Sequence, residues 1–423
     1  MKNNGKTAVE KVFSEKSGED VYAGSIVEAE LDYVMVNDIT GPSAIEAFYQ
    51  LGVEPKKEKI VLIPDHFVPS KDIASATQSK KMRDFAWKHE MPNYFEVGRG
   101  GVCHQVMMEK GFATPGALIA GADSHTCTYG ALGAISVGIG GTEAGVIFGT
   151  GRMWFKVPET MMFRINGGLD SSVEGKDVIL NLISRIGVEG GRYKCLEFRG
   201  EGIGGLGVSD RMTIANMASE AGAKCAFMAP DKKTEDYLNS RSRKKWSFID
   251  SDSDANYDMI FDIDASELEP VVSMPGSPAD VKPVSEVSDE IDQAYIGSCT
   301  NGRIEDIRRA AHVLKGKKVH PRTRLIVVPS SQQVFEDAVS EGLVKLIAEA
   351  GGYVSGPTCG ACLGGYMGVL GPGERCISST NRNFLGRMGD KDSKVYLANP
   401  SVVAASSILG RIASPREVYE IVK

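Results

Sequence analysis

Cysteine and histidine are scarce in this chain, basic residues are outnumbered, and long apolar runs are missing. No segment approaches the roughly eighteen uninterrupted apolar residues of a membrane-spanning helix, so none is expected. No apolar h-region stands behind Met1–Lys6, and no signal peptide is expected either. Eight cysteines in 423 residues are too sparse for a disulfide scaffold, which makes a reducing cytoplasm the expected setting. A net charge of -7 argues against nucleic acid or an anionic membrane surface as the main partner. The glycine-rich stretch from Gly130 to Gly151 lacks the Lys-Ser/Thr that closes a phosphate loop. It reads as close backbone packing around a buried site.

What is present is ordinary globular material. Hydrophobic residues at 42% and charged residues at 24% exclude a disordered chain. The length is too great for one ordinary core and predicts two or three domains. An amphipathic helical lead-in is expected over residues 1–20, after which strand-like and helix-like runs alternate. Tyr33–Val36 leads into Asn37-Asp38-Ile39-Thr40-Gly41-Pro42, Lys59–Ile63 ends at Pro64-Asp65-His66, and Ala117–Ala120 runs into Gly121-Ala122-Asp123-Ser124-His125-Thr126. Such continuous apolar strands fit a parallel sheet covered on both faces, and ligands usually bind beyond the C-terminal strand ends. Gly101-Val102-Cys103-His104 opens a helix, so His66, His104 and His125 all fall at element ends, where nearby Asp residues can partner their ring N–H groups.

From about Thr160 the character changes. Strands at Thr160–Ile165 and Lys194–Phe198 flank a helical run, Asp177–Ile186. A further helix, Asp210 to Ala223 with Asp210 as its N-cap, puts Asn216 and Glu220 on one face, where they can look into a cleft. Ser240–Asp258, a basic run followed by an acidic one, reads as a solvated excursion. Residues 270–290, with Pro270, Pro275, Pro278 and Pro283, read as a linker. Beyond it the alternation resumes.

The chain is organised around Gly356-Pro357-Thr358-Cys359-Gly360-Ala361-Cys362-Leu363-Gly364-Gly365 and Gly297-Ser298-Cys299-Thr300-Asn301-Gly302-Arg303. Glycines around the Cys-x-x-Cys pair let backbone N–H groups approach a large inorganic group. Cys299 falls at a strand-to-helix turn, near a helix N-terminus that would favour a thiolate. Three thiolates leave a [4Fe–4S] cube one protein ligand short, and such an iron is a Lewis acid. Zinc or a disulfide-type pair is the competing reading. Further on, Arg382 and Arg387 bracket Gly386 at a spacing that lets both guanidinium forks reach one anionic ligand.

Together with Asp-Ser-His-Thr-Cys-Thr (123–128) and Asn-Arg-Asn-Phe-Leu-Gly-Arg (381–387), these motifs resemble the aconitase superfamily. Within it the match is to the large subunits of the two-subunit isopropylmalate isomerase and homoaconitase group. The resemblance implies an α/β fold of three aconitase-type domains, at 1–159, 160–285 and 286–423. It implies one [4Fe–4S] cluster on Cys299, Cys359 and Cys362 with one iron open to substrate. It implies acid–imidazole pairs Asp65 with His66, Asp123 with His104, and Glu220 with His125, and substrate or cluster contacts at Asn37, Ser124, Asn216, Asn381, Arg382 and Arg387. Single-chain relatives carry a fourth, swivelling domain with a serine base. Here the chain ends at Lys423 without it, so a separate small subunit is the expected partner. The implied activity is a hydro-lyase isomerising 2- and 3-isopropylmalate in leucine biosynthesis, with homoaconitate or dimethylmalate as alternative substrates. An electron-transfer protein would want a fourth cysteine, for which Cys376 is the nearby spare. An RNA-binding role is weakened by the acidic balance and the missing domain.

Overall fold

An uninterrupted apolar run such as Tyr33-Val34-Met35-Val36 has no side to turn to water, and the molecule buries every residue of it in a parallel sheet. The computed structural model describes residues 5–420. Met1–Asn4 of the expected lead-in and the terminal Lys423 lie outside the described residues. The first sheet holds, in order, Ile60–Leu62, Tyr33–Val36, Leu118–Gly121 and Ile135–Gly138, all parallel. The register seats Val34 between Ile60 and Ala120. A second parallel sheet runs Met259–Asp264, Thr160–Asn166, Cys195–Arg199, Cys225–Met228. The third has Lys394–Leu397, Arg375–Ser378, Gln293–Ile296, Arg324–Val327 and Tyr353–Val354 parallel, with two antiparallel strands added at the Lys394–Leu397 edge. This is the α/β class expected. No helix among the described residues is long and apolar enough to cross a membrane.

One apolar core joins the sheets. It runs from Met35 and Ile119 of the first, through Phe163 and Leu196 of the second, to Tyr295 and Leu397 of the third. Phe163 stacks between Phe261 at 5.0 Å and Phe198 at 5.7 Å, ring centroid to centroid. The glycine-rich stretch allows close approach: a Cβ on Gly145 would lie 2.3 Å from the Ala44 carbonyl, and one on Gly130 2.1 Å from that of Ala226.

Three local expectations need correction. Residues 270–290 are not simply a linker, because Val271–Ser273 and Val281–Pro283 pair as the edge hairpin of the third sheet. Proline is tolerated there because the outermost strand has no outer neighbour to receive its N–H. Asp210 is not an N-cap. The helix is Val208–Met217, continued by a tighter turn over Ala218–Ala221, and its cap is Gly207. The Asp210 carboxylate is committed elsewhere, receiving Gly175 N at 2.9 Å and Arg309 through two bonds at 2.9 and 2.7 Å. Nor is Ser240–Asp258 wholly solvated. Arg243 lies 4.0 Å over the Phe112 ring and donates to Asn93 Oδ1 at 3.0 Å, so its planar cation packs against the first unit.

The second and third units are tied together by buried polar bonds. Asp177 Oδ2 accepts from Glu174 N and Asn399 Nδ2, each at 2.8 Å, and its Oδ1 accepts from Val271 N at 3.1 Å. Removing this carboxylate strands three buried donors. Asp177→Ala should therefore cost about 3 kcal/mol or more, read as a fall in urea midpoint; a loss below about 1 kcal/mol would show that the joint does not depend on it.

Candidate active site

Residues beyond the C-terminal ends of first-sheet and third-sheet strands line one cleft, and Asn216 and Glu220 of the second unit back its wall at Cys299 and His125. The cleft, about 440 Å³ when the solvent-open space at its mouth is counted, is lined by Asp65, His66, Cys103, His104, Asp123, Ser124, His125, Cys299, Cys359, Cys362, Asn381, Arg382 and Arg387, among others.

Each imidazole is held by an acid. His66 Nδ1 meets Asp65 Oδ1 at 2.6 Å, and Asp65 Oδ2 also accepts from Cys103 N at 2.7 Å. Burial alone would pull His66 down, but the Asp65 carboxylate, with Asp123 and Asp38 behind it, pushes it up to about 9. The turn that presents the pair is built on Asp38, whose carboxylate accepts the backbone N–H groups of Asp65, His66 and Phe67 at 2.8–2.9 Å. In the sequence Asp38 reads only as part of a turn. A buried carboxylate receiving three backbone donors cannot be told there from an ordinary turn Asp.

His104 is engaged on both sides: Nε2 meets Asp123 Oδ1 at 2.9 Å, and Nδ1 meets the hydroxyl of Tyr129 at 3.0 Å. Tyr129 carries no functional signal in the sequence, since an aromatic at the edge of the glycine-rich stretch reads as core. Burial works against the Asp123 charge, yet His104 and His125 together hold its carboxyl well below the usual carboxylate range. His125 Nε2 meets Glu220 Oε1 at 2.8 Å, and both Glu220 oxygens accept from Arg382 Nε at 2.9 and 3.1 Å. Arg382 Nη2 donates in turn to Ser124 Oγ at 3.0 Å. Burial disfavours the Glu220 charge, but His125 and Arg382 lower it below its ordinary value. Arg387 also lines the cleft, and its buried Nε has no partner.

Cys299, Cys359 and Cys362 are free, buried thiols facing this space. The Asn216 and Asn381 side-chain amides each donate to Cys299 Sγ at 3.3 Å. Those amides, not a helix end, serve Cys299, because the following helix begins only at Ile304. Cys299 is aimed by Ser298, a non-glycine residue in the left-handed region at φ +74°. Burial pushes all three thiols up. The neighbouring Cys362 adds to this at Cys299, and Asp65 and Cys299 add to it at Cys359, while Arg387 and Arg382 relieve it at Cys362. A cationic group among them would remove that mutual repulsion and take them as thiolates. The donor set therefore fits a thiolate-bound metal group. Asp65, His66 and Cys359 also bring ligand atoms within 4.8 Å of one another, but the two former are spent on each other.

Three expected residues sit outside the cleft lining: Glu220, behind His125 and Arg382, and the two asparagines Asn216 and Asn37. Asn216 stands behind Cys299, bonded to Thr128 Oγ1 and Thr300 Oγ1 at 2.9 Å. Asn37 uses its Oδ1 on the backbone N–H groups of Ile39 and Thr40, both 3.1 Å, and reaches Asp123 only at 3.5 Å. Its visible work is shaping the turn into Gly41–Tyr49. Cys376, the expected spare thiol, lies in the strand Arg375–Ser378 and not on the cleft. The additional thiol that does line it is Cys103, which burial and the adjacent Asp65 hold well up.

Acid–imidazole pairs, thiols and arginines gathered where several sheet units meet define an α/β enzyme with a buried polar centre. Residues 10–410 match the family described as Aconitase family (aconitate hydratase), and the chain belongs to that family. It is 66% identical over 413 residues to a protein of Picrophilus torridus named 3-isopropylmalate dehydratase large subunit, covering 98% of this chain and all (100%) of that one. It is 52% identical over 418 residues to a protein of the same name from Hydrogenobaculum, covering 98% of each. The crystal structure of Thermococcus kodakaraensis aconitase X in its holo form shares the fold, with a TM-score of 0.54 at 12% identity over 95% of each chain.

The cysteine loop depends on Gly360, whose φ is +58° and whose Cβ would lie 2.1 Å from the Tyr295 hydroxyl. Gly360→Ala should destabilise the loop by about 2–4 kcal/mol through overpacking and left-handed strain. Cys359 and Cys362 should then alkylate at least about tenfold faster in the metal-free chain. Adding Tyr295→Phe should recover part of the protection. Alkylation at the wild-type rate in Gly360→Ala would show that the contact does not hold the loop.

Proposed function

We propose that this chain is the cluster-bearing large subunit of a hydro-lyase that interconverts 2- and 3-isopropylmalate by dehydration and rehydration in leucine biosynthesis. The observation that carries this reading is the convergence of three unpaired thiols, the Asp65–His66 pair and the Arg382–Glu220–His125 chain on one cleft. The names of the nearly full-length relatives support the substrate. Cys299, Cys359 and Cys362 would hold a [4Fe–4S] cluster, one per subunit. When bound, it would supply a Lewis-acid iron that has no protein ligand of its own.

The chain's own residues do the rest. His66 is the imidazole with a ring nitrogen left over, since its Nδ1 alone is engaged, and a proton is held there at neutral pH. It is the proposed donor to the departing hydroxyl, which leaves poorly as hydroxide without general-acid help. His104 has neither ring nitrogen free and instead orients Asp123. Arg382 and Arg387 present guanidinium groups for substrate carboxylates, with Ser124 beside Arg382 and the unpartnered Arg387 Nε available. Asn216 and Asn381 steady Cys299, and Asn37 supports Asp123 from behind. The partner is a small subunit carrying the swivelling domain and the carbon-acid base, and the setting is cytoplasmic. The three sheet-bearing units are proposed as three domains, with the border between the second and third near residue 270 instead of 285.

The test is an anaerobic assay of the iron-reconstituted chain, with and without its small subunit, against isopropylmalate, homoaconitate, citrate and dimethylmalate. Absorbance of the unsaturated intermediate should appear with isopropylmalate and only when both subunits are present. Preference for another acid would move the pathway. No turnover with any of them, despite a full cluster and a bound partner, would refute the hydro-lyase.

A further inference from the structure

Lys176 is among the largest fully buried side chains of the molecule, at 0% exposure, and nothing so far uses it. It stands in the first turn of the helix Gly175–Ile186, in the second unit, and reaches across into the third. Its ammonium donates to two consecutive main-chain carbonyls, Ser379 O at 2.8 Å and Thr380 O at 2.5 Å. The next two residues are Asn381, which donates to Cys299 Sγ, and Arg382, which grips Glu220 and Ser124. The same turn is pinned from its other side, where Ser379 Oγ accepts from Gly297 N and donates to Asn301 O, both at 3.1 Å. Ser379 thus joins the Cys299 loop to the Asn381–Arg382 turn, and Lys176 is fastened beneath the junction.

A buried ammonium with two neutral acceptors is an expensive way to hold a turn. Burial pulls Lys176 down to about 7, and only Asp306, Asp177 and the Cys299 and Cys362 sulfurs, once these are thiolates, work to keep its charge. Two successive carbonyls turned toward one cation also break the alternation a strand would impose, which fixes where the Asn381 and Arg382 side chains leave the backbone. We propose that Lys176 is a positioning residue that aims Asn381 and Arg382, so that the grip on substrate carboxylate depends on a lysine outside the cleft. This rests on the function proposed above.

The test uses the cluster-loaded enzyme with its small subunit, comparing wild type, Lys176→Met and Lys176→Arg. Hydrogen exchange over residues 379–387 should quicken at least about tenfold in Lys176→Met, as expected for losing a charge-assisted bond, while the first sheet exchanges as before. KM for isopropylmalate should rise about tenfold with kcat changed less than about threefold, the signature of lost carboxylate binding. Lys176→Arg, which keeps cation and donors, should restore both. Wild-type exchange and KM in a folded Lys176→Met would overturn the proposal. Should Lys176→Met not fold, Lys176→Arg decides: a folded protein with a protected loop and near-normal KM supports it, and a disordered loop or failure to fold overturns it. A wild-type enzyme inactive toward every acid would refute the functional reading instead, and the exchange comparison would still decide the anchoring.

Discussion

Ionisable groups crowd one another inside a protein only when each has a partner, because an unpaired buried charge costs several kcal/mol. The cleft meets this condition by recruiting from all three sheet units. Asp65, Asp123 and Glu220 each hold an imidazole, Arg382 returns to Glu220, and Asp38 is satisfied by three backbone N–H groups. The exceptions are the thiols, Cys299, Cys359 and Cys362 together with Cys103 beside Asp65. Their surroundings penalise ionisation, so among the groups of the cleft they are the ones that most need a cation. That asymmetry between acids already paired as charges and thiols that burial keeps from ionising is the physical basis for reading the cleft as a place for a metal cluster.

The same constraint explains the shape of the interfaces. The cysteine loop is tied to the first unit by Cys359 N and Thr358 Oγ1, both donating to Asp65 O, at 2.9 and 3.1 Å. The cysteine-bearing turn at 297–303 is tied to the second unit through Thr213, whose Oγ1 donates to Thr300 O and accepts from Asn301 Nδ2, and by Arg303 Nη1, which donates to Ser209 O and Thr213 Oγ1. Parallel sheets make this economical, since their C-terminal strand ends offer short loops on one side of each sheet. With partners drawn from distant parts of the chain, the site exists only when the whole molecule is folded.

Much of this was legible in the sequence. Apolar strands running into Asp-His and Asp-Ser-His signalled parallel sheets with functional ends, and the cysteine motifs marked the centre. Less legible were residues whose role depends on what faces them. Asp210 looked like an N-cap until Arg309 claimed it, and the proline-rich 270–290 looked like a linker because edge strands tolerate the residues that central ones exclude. Asp38, Tyr129 and Cys103 carry no local signal, for their partners lie dozens of residues away or across a turn. Asn37 shows the converse: a prominent position whose side chain is largely consumed by its own turn.

The most direct test of the account is Mössbauer spectroscopy of the chain reconstituted with iron-57. If three cysteines hold the cluster and the acids of the cleft are already spent on imidazoles and arginines, one iron of four should be distinguishable. Its parameters alone should shift when the hydroxy acid is added. Four equivalent, substrate-insensitive irons would mean that a fourth thiol, with Cys103 the candidate on the cleft wall, completes the ligation, and the Lewis-acid reading would be wrong.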